Sequence, residues 1–327
     1  MTTQHPYESL TPDTVIDAVE SLGYFSDARI LALNSYENRV YQVGIEDKQP
    51  VIVKFYRPLR WRKEQILEEH AFAQELADLE ISVVPPIASE NGQTLHDFAG
   101  FHFSLYTRKG GHAPELDNMD HLFSLGQLMG RIHKAGSTHN FNYRTEINLQ
   151  RYAKDSAAFL LESNTIPQSL VPAYETLARD VIDKLEVIDA HNNPEVIRLH
   201  GDCHVGNILC RDDAFHFVDF DDCINGPAIQ DLWMFLNGDR QHKMAQLSEL
   251  IDGYNEFHTF NPAELNLIEY FRTLRLMNYS AWLARRWEDP AFPIAFPWFN
   301  SERYWADHIL ELREQMAALD EEPLEMF

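Results

Sequence analysis

The sequence predicts a two-lobed α+β protein, with a strand-rich N-terminal lobe and a mainly helical C-terminal lobe. Three observations carry this expectation. Strand-like segments with one long helix among them fill the chain from Gly23 to about Tyr106. Helical periodicity dominates after Gly110-Gly111. One apolar hairpin interrupts the helices, inside HGDCHVGNILCRDDAFHFVDFDD from His200 to Asp222. A chain of 327 residues is long enough for two lobes around one cleft, each with its own core.

The elements follow from local chemistry. Thr11-Pro12-Asp13 reads as an N-cap, a proline at the first helical position and an acidic first turn, and the helix stops at Gly23. Arg39–Val43 and Val51–Tyr56 flank the polar turn Glu46-Asp47-Lys48-Gln49, which predicts a hairpin. Lys63–Asp78 reads as one helix, and the run from Ile81 to Thr107 as short strands separated by turn residues. Leu122, Leu125, Met129 and Ile132 share a helical face in HLFSLGQLMGRIHKAG, with Gly136 placed as a C-cap. Gly126 and Gly130, one turn apart, leave room for a neighbouring helix. The lobe boundary falls near Arg108, giving lobes 1–107 and 108–327.

Composition narrows the partners. A formal net charge of −24 argues against nucleic acid or an anionic membrane surface as partner. No stretch reaches the apolar length of a membrane span. The opening MTTQHPYESLTPDTV has neither a basic nor an apolar signal region, and the three cysteines are an odd number, so a reducing cytoplasm is expected. Cys203, His204, Cys210, His216 and Cys223 crowd one segment but show no zinc-ligand spacing, so buried thiols are expected there. Cys203, beside the acidic cluster, raises the question of redox control; an inert small residue is the favoured answer.

The hairpin carries the chemistry. Its open ends bring Asn207 and Asp219 side by side, and Asp202 lies five positions before Asn207 on the loop leading in. Two short oxygen-bearing side chains suit a hard cation such as magnesium, which usually takes few protein ligands plus substrate phosphates. Asp202, offset from them, can accept a proton from an attacking hydroxyl. This is the order of a phosphotransfer site, and metal and phosphate would make the crowded carboxylates tolerable. Asp212 and Asp213 read as solvated turn residues. In the N-terminal lobe, Lys54 interrupts the apolar strand VIVKFY and needs an anionic partner. Glu69 lies on the apolar stripe with Phe72, Ala73 and Leu76 and is the expected partner, whereas Glu64, Glu68 and Glu75 fall on a different, charged face. A glycine-rich phosphate loop is missing; the turn Leu33–Val40 offers Ser35 and Asn38 as donors, and Arg39 either reaches a phosphate or braces the turn. The backbone of Leu105-Tyr106-Thr107 is placed to hydrogen-bond an adenine edge.

These residues resemble the aminoglycoside phosphotransferase and choline kinase superfamily, a branch of the protein-kinase-like fold with HGD where protein kinases have HRD. LNSYENRVYQV, VIVKFYRP, QILEEH, NGPAIQDLWMFLNGD and RRWEDPAFP are further similar to its bacterial stress-response serine/threonine kinases, from about Leu33 to Trp298. The resemblance implies Asp202 as catalytic aspartate and Asn207 and Asp219 as magnesium ligands. It implies Ser35 in the ATP site, Lys54 as the phosphate lysine held by Glu69, and Asp231 as a brace for the catalytic loop. It further implies an ATP- and magnesium-dependent enzyme that phosphorylates proteins, itself included, with residues 1–107 as the nucleotide lobe and 108–327 as the catalytic and substrate lobe. A monomer is expected. Phe220-Asp221-Asp222 follows Asp219 without the DFG glycine, and no APE-like segment follows, so switching through an activation loop is not expected. The alternative is a small-molecule kinase. An aminoglycoside site would need carboxylates, which Asp221 and Asp222 offer, and a choline site an aromatic cage from Trp282, Trp287 or Trp298. The aromatic run from Trp282 to Trp305 is read chiefly as packing; the alternative is a wall of the acceptor groove, with Arg285 or Arg286 near an acidic or phosphorylated partner.

Overall fold

A computed structural model describes residues 5–326. Thr11 caps α1 (Pro12–Glu20) by accepting the Thr14 N–H at 3.2 Å, and Gly23 ends the turn beyond it in the left-handed region, φ +81°. Then come β1 (Ser26–Ala32), β2 (Arg39–Ile45), β3 (Val51–Phe55), α2 (Lys63–Asp78), β4 (His96–Phe98) and β5 (Phe101–Thr107). The strands form one antiparallel sheet in the order β1-β2-β3-β5-β4. Val43, Val53, Phe55, Phe103 and Leu105 bury one face of it against Val15, Ala18 and Val19 of α1. The apolar stripe of α2 turns the other way. Phe72, Ala73 and Leu76 join the core of the helical half, so α2 is shared between the halves.

After α3 (Met119–Gly136) come α4 (Asp155–Glu162), α5 (Val171–His191), β6 (Ile197–Leu199), β7 (Ile208–Arg211), β8 (Ala214–Phe217) and β9 (Ile224–Gly226). The chain continues as α6 (Ile229–Leu232), α7 (Arg240–Asn255), α8 (Ile268–Arg286), α9 (Ala291–Ala295) and α10 (Glu302–Ala318). Leu122, Leu125, Met129 and Ile132 of α3 are all fully buried. A Cβ at Gly126 would collide with the Leu250 carbonyl, so the missing side chain is what lets α7 lie directly on α3. Gly136 is the last helical residue and Ser137 the cap, one position later than expected. The protein is thus α+β, a strand-rich N-terminal sheet followed by a helical region. Among the described residues no helix is long and apolar enough to cross a membrane.

Candidate active site

β7 and β8 pair antiparallel from Ile208↔Phe217 to Arg211↔Ala214. Asp212 and Asp213 form the two-residue turn with φ +53° and +58°, the left-handed pair that matches strand twist. Their side chains point into solvent, as read from the sequence. At the open end the Val218 N–H donates to the Asn207 carbonyl at 2.9 Å. Asn207 and Asp219 line one cavity of about 360 Å³ together with Ser35, Lys54, Glu69 and Tyr106. Leu33, Val40, Ile52, Val84, Leu209 and Val218 supply its apolar walls.

Lys54 is buried, and its Nζ stands 2.9 Å from Asp219 Oδ1, 3.2 Å from Glu69 Oε1 and 3.2 Å from Asp221 Oδ1. Burial alone would favour the neutral amine, but Asp219, Asp221 and Glu69 outweigh it and hold the ammonium well above its ordinary range. Glu69 is shared, since Arg144 Nη2 reaches its Oε2 at 3.0 Å. The charged face of α2 is partly engaged, with Glu64 left exposed. Glu68 accepts the N–H groups of Asn142, Tyr143 and Arg144, and Glu75 pairs with Arg198, so both fasten α2 to the helical half.

The loop before the hairpin is braced from beneath. The buried Asp231 accepts the His200 N–H at 2.8 Å and the Gly201 N–H at 2.9 Å. Gly201 has φ +87°, and a Cβ there would strike the Asp222 carbonyl, so only glycine fits between His200 and Asp202. His200 donates from Nε2 to the Val218 carbonyl at 2.9 Å, tying the loop to the end of β8. Asn207 Nδ2 donates to the Asp202 carbonyl at 2.9 Å, which leaves Asn207 Oδ1 as an oxygen donor. Asp219 sits in the left-handed region, φ +59°, with its side chain half exposed. An amide oxygen and one carboxylate facing the same cavity fit a hard cation that completes its shell with substrate oxygens. Among the described residues no group of three His, Cys, Asp or Glu stands together to hold a metal ion.

Asp202 Oδ1 accepts from Arg275 Nη1 at 2.6 Å, and its Oδ2 lies 3.5 Å from His204 Nε2. Burial works to raise this carboxyl; the His204 hydrogen bond and the Arg275 guanidinium prevail and hold it well below the usual carboxylate range. It is therefore an anion able to accept a hydrogen bond from a hydroxyl.

The turn before β2 closes on itself and onto the helical half. Ser35 Oγ donates to the Asn38 carbonyl at 3.2 Å. Arg39 braces the turn: it reaches the carbonyls of Tyr36 and Asn38 and both oxygens of the buried Asp289, at 2.9 and 3.0 Å. Arg57 also pairs with Asp289. Glu37 accepts from Trp282 Nε1 at 2.6 Å and from Arg286 Nε at 2.9 Å. The Leu105 carbonyl is taken by the Ile87 N–H, so in the segment 105–107 it is Tyr106 and Thr107 that border the cavity.

The carboxylates and aromatics near the loop have partners of their own. Asp221 is buried against Arg60, while Asp222, which also pairs with Arg60, stays 46% exposed. Trp282 is tied to Glu37, Trp287 lies on Phe299, and Trp298, 43% exposed, lies on Tyr304. Cys203 is fully buried against Met129, and burial, then Asp231 and Asp202, pushes its thiol well up, so it is inert. Arg60, Arg144, Arg275 and Asp289 were not legible as site residues. Nor was His70, whose Nε2 meets Tyr56 Oη at 2.8 Å and whose burial pushes it down to about 3.

Comparison with known proteins agrees with this geometry. Residues 29–268 match the model of the phosphotransferase enzyme family. Stress response kinase A of Escherichia coli O157:H7 is 45% identical over 322 residues, covering 98% of this chain and 97% of that one. The serine/threonine protein kinase RdoA of Salmonella typhimurium is 43% identical over 320 residues, again 98% and 97% of the two chains. Among solved structures, amicoumacin kinase hAmiN in complex with AMP-PNP, Ca2+ and its ligand superposes with a TM-score of 0.72 at 22% identity, over 93% of this chain and 92% of that one, a likeness of fold. The chain belongs to the phosphotransferase enzyme family and is a kinase.

Proposed function

We propose that the protein transfers the γ-phosphoryl group of ATP to serine or threonine hydroxyls of proteins, its own included, in a magnesium-dependent reaction. The observation that carries the phosphotransfer chemistry is the cavity that joins the Lys54–Glu69 pair to Asn207 and Asp219, with Asp202 on the adjoining loop. The strand-rich part through Thr107 would bind the nucleotide, its adenine between apolar walls such as Ile52 and Leu209 and its phosphates at Lys54 and the Ser35 turn. The part from Arg108 onward would supply catalysis and the acceptor seat. Asn207 and Asp219 would hold magnesium, which supplies charge neutralisation on the phosphates when bound. Asp202 would orient the attacking hydroxyl and take its proton. The protein acceptor is supported by near full-length similarity to a chain named as a serine/threonine protein kinase.

The test is purified protein with labelled ATP and magnesium, with and without a general protein acceptor. Label should reach the acceptor or the enzyme's own serines and threonines, and be lost in Asp202→Asn and Asp219→Ala. Transfer only to a small metabolite would replace this reading by a small-molecule kinase.

A further inference from the structure

We infer that Arg275 reads a negatively charged group beside the acceptor hydroxyl, so that serine or threonine segments carrying a neighbouring carboxylate or phosphate are the favoured substrates. The inference deepens the protein-kinase reading and rests on it. Arg275 projects from α8 onto Asp202, with Nη1 2.6 Å from Oδ1. The pair is partly open to solvent, 41% exposed on Arg275 and 27% on Asp202, so an anion arriving from solvent can reach the guanidinium. An anion on the acceptor competes with Asp202 for the guanidinium. It gains a charge-assisted and, for a carboxylate or phosphate, bidentate contact. In exchange it frees Asp202 Oδ1 to accept from the hydroxyl. A cationic acceptor meets the same guanidinium and is repelled.

The surroundings are mixed in sign, since the half-exposed Asp219 and Asp222 also stand near Asp202. Tyr279, one turn beyond Arg275, and Tyr36 on the turn before β2 are exposed and supply apolar flanks. Arg151 and Arg285 have no carboxylate within ion-pair distance among the described residues. Arg151 donates to Thr145 Oγ1 at 2.7 Å, and Arg285 to the Asp155 carbonyl at 3.4 Å. Arg151 and Arg286 stand near enough to Arg285 to raise the local positive potential. Arg285 and Arg286, with Arg57 and Arg60, line a cavity of about 340 Å³ that Glu288 and Asp289 also border, and Arg57, Arg60 and Arg286 are already paired with carboxylates. Arg286 lies roughly 16 Å along α8 from Arg275 at helical rise, a span of about five extended residues. Meanwhile Asp221 and Asp222 are engaged by Arg60. An acidic chain of net charge −24 thus keeps one partly exposed guanidinium, Arg275, against its candidate catalytic aspartate.

The experiment measures kcat/KM of the wild-type chain on matched serine peptides whose neighbouring residue is neutral, aspartate, phosphoserine or arginine. Aspartate or phosphoserine should exceed the neutral peptide by about tenfold, the scale of one charge-assisted contact, and arginine should fall below it. The two anionic arms tell a carboxylate preference from a priming phosphate. Arg275→Gln should bring the anionic-to-neutral ratio close to one, and Arg275→Lys should retain part of it, a pattern that a purely structural role would not give. The wild-type ratios need no variant to fold. A wild-type preference for neutral or basic peptides, or an unchanged ratio in Arg275→Gln, overturns the inference and leaves the protein-kinase reading standing. Transfer to a small molecule and to no peptide overturns both.

Discussion

α2 and α8 both reach the cleft, and their charges are held in opposite ways. Glu68, Glu69 and Glu75 of α2 each have fixed partners, and Glu69 lies buried between Lys54 and Arg144. Arg275 of α8 is partly exposed on a partly exposed aspartate, and Arg285 holds a backbone carbonyl and lies over the Phe159 ring, with no carboxylate at ion-pair distance among the described residues. A buried, multiply bonded charge cannot move without leaving its partner stranded, which is costly. An exposed pair can exchange partners at little cost. The α2 side is therefore held in place by its own partners, while Arg275 on the α8 side can change partner.

The largest effect should separate the two sides. Asp202→Asn should lower turnover about 10³-fold, the range of lost general-base catalysis, with nucleotide affinity nearly unchanged; initial rates and a nucleotide titration check this. A large loss of nucleotide affinity would join the sides instead. Glu69→Gln tests the rigid side. It takes the shared carboxylate from Lys54 and Arg144, so stability should fall by roughly 3 kcal/mol in denaturant titrations, alongside a loss in kcat/KM for ATP. Impaired kinetics with stability intact would mean that α2 is not locked. Asp289→Asn acts between them, where the turn before β2 is tied to the segment after α8. It weakens two arginine contacts at once, and should cost about 2 kcal/mol and raise KM for ATP.

The smallest effect concerns the floor under α8. Buried Glu264 accepts the Ile229 N–H at 3.0 Å, at the start of the helix that carries Asp231. Burial raises its carboxyl from 4.5 to about 7, against the Ile229 hydrogen bond, which lowers it. The folded state thus holds this proton more tightly than the unfolded chain does. Its contribution to stability is complete below pH 4.5 and is lost as pH rises through about 7. Glu264→Gln should flatten the dependence of Tm on pH across that window. An unchanged slope would show that Glu264 does not titrate there.

Much of the candidate site was legible because it is written locally. The hairpin from Ile208 to Phe217 brings Asn207 and Asp219 to one end whatever surrounds it, and the stripe of α2 turns Glu69 with its apolar neighbours. Two sets of partners were not legible for a common reason. Arginines or backbone amides from distant segments meet Asp221 and Asp222 beside the loop and Glu68 and Glu75 on the charged face of α2.

The sequence by itself determined the α+β order, the helix from Lys63 to Asp78, the hairpin, and the spacing of Asp202, Asn207 and Asp219. Only the tertiary structure decided that Arg275 meets Asp202 across 73 positions of sequence, that Arg39 meets Asp289 across 250, and that Arg144 shares Glu69. The physical reason lies in what each pattern reports. Backbone periodicity is set by neighbours three or four residues away and tells which face is buried. The partner of a charge is set by how distant segments close on one another, and an isolated arginine in a helix carries no local trace of it.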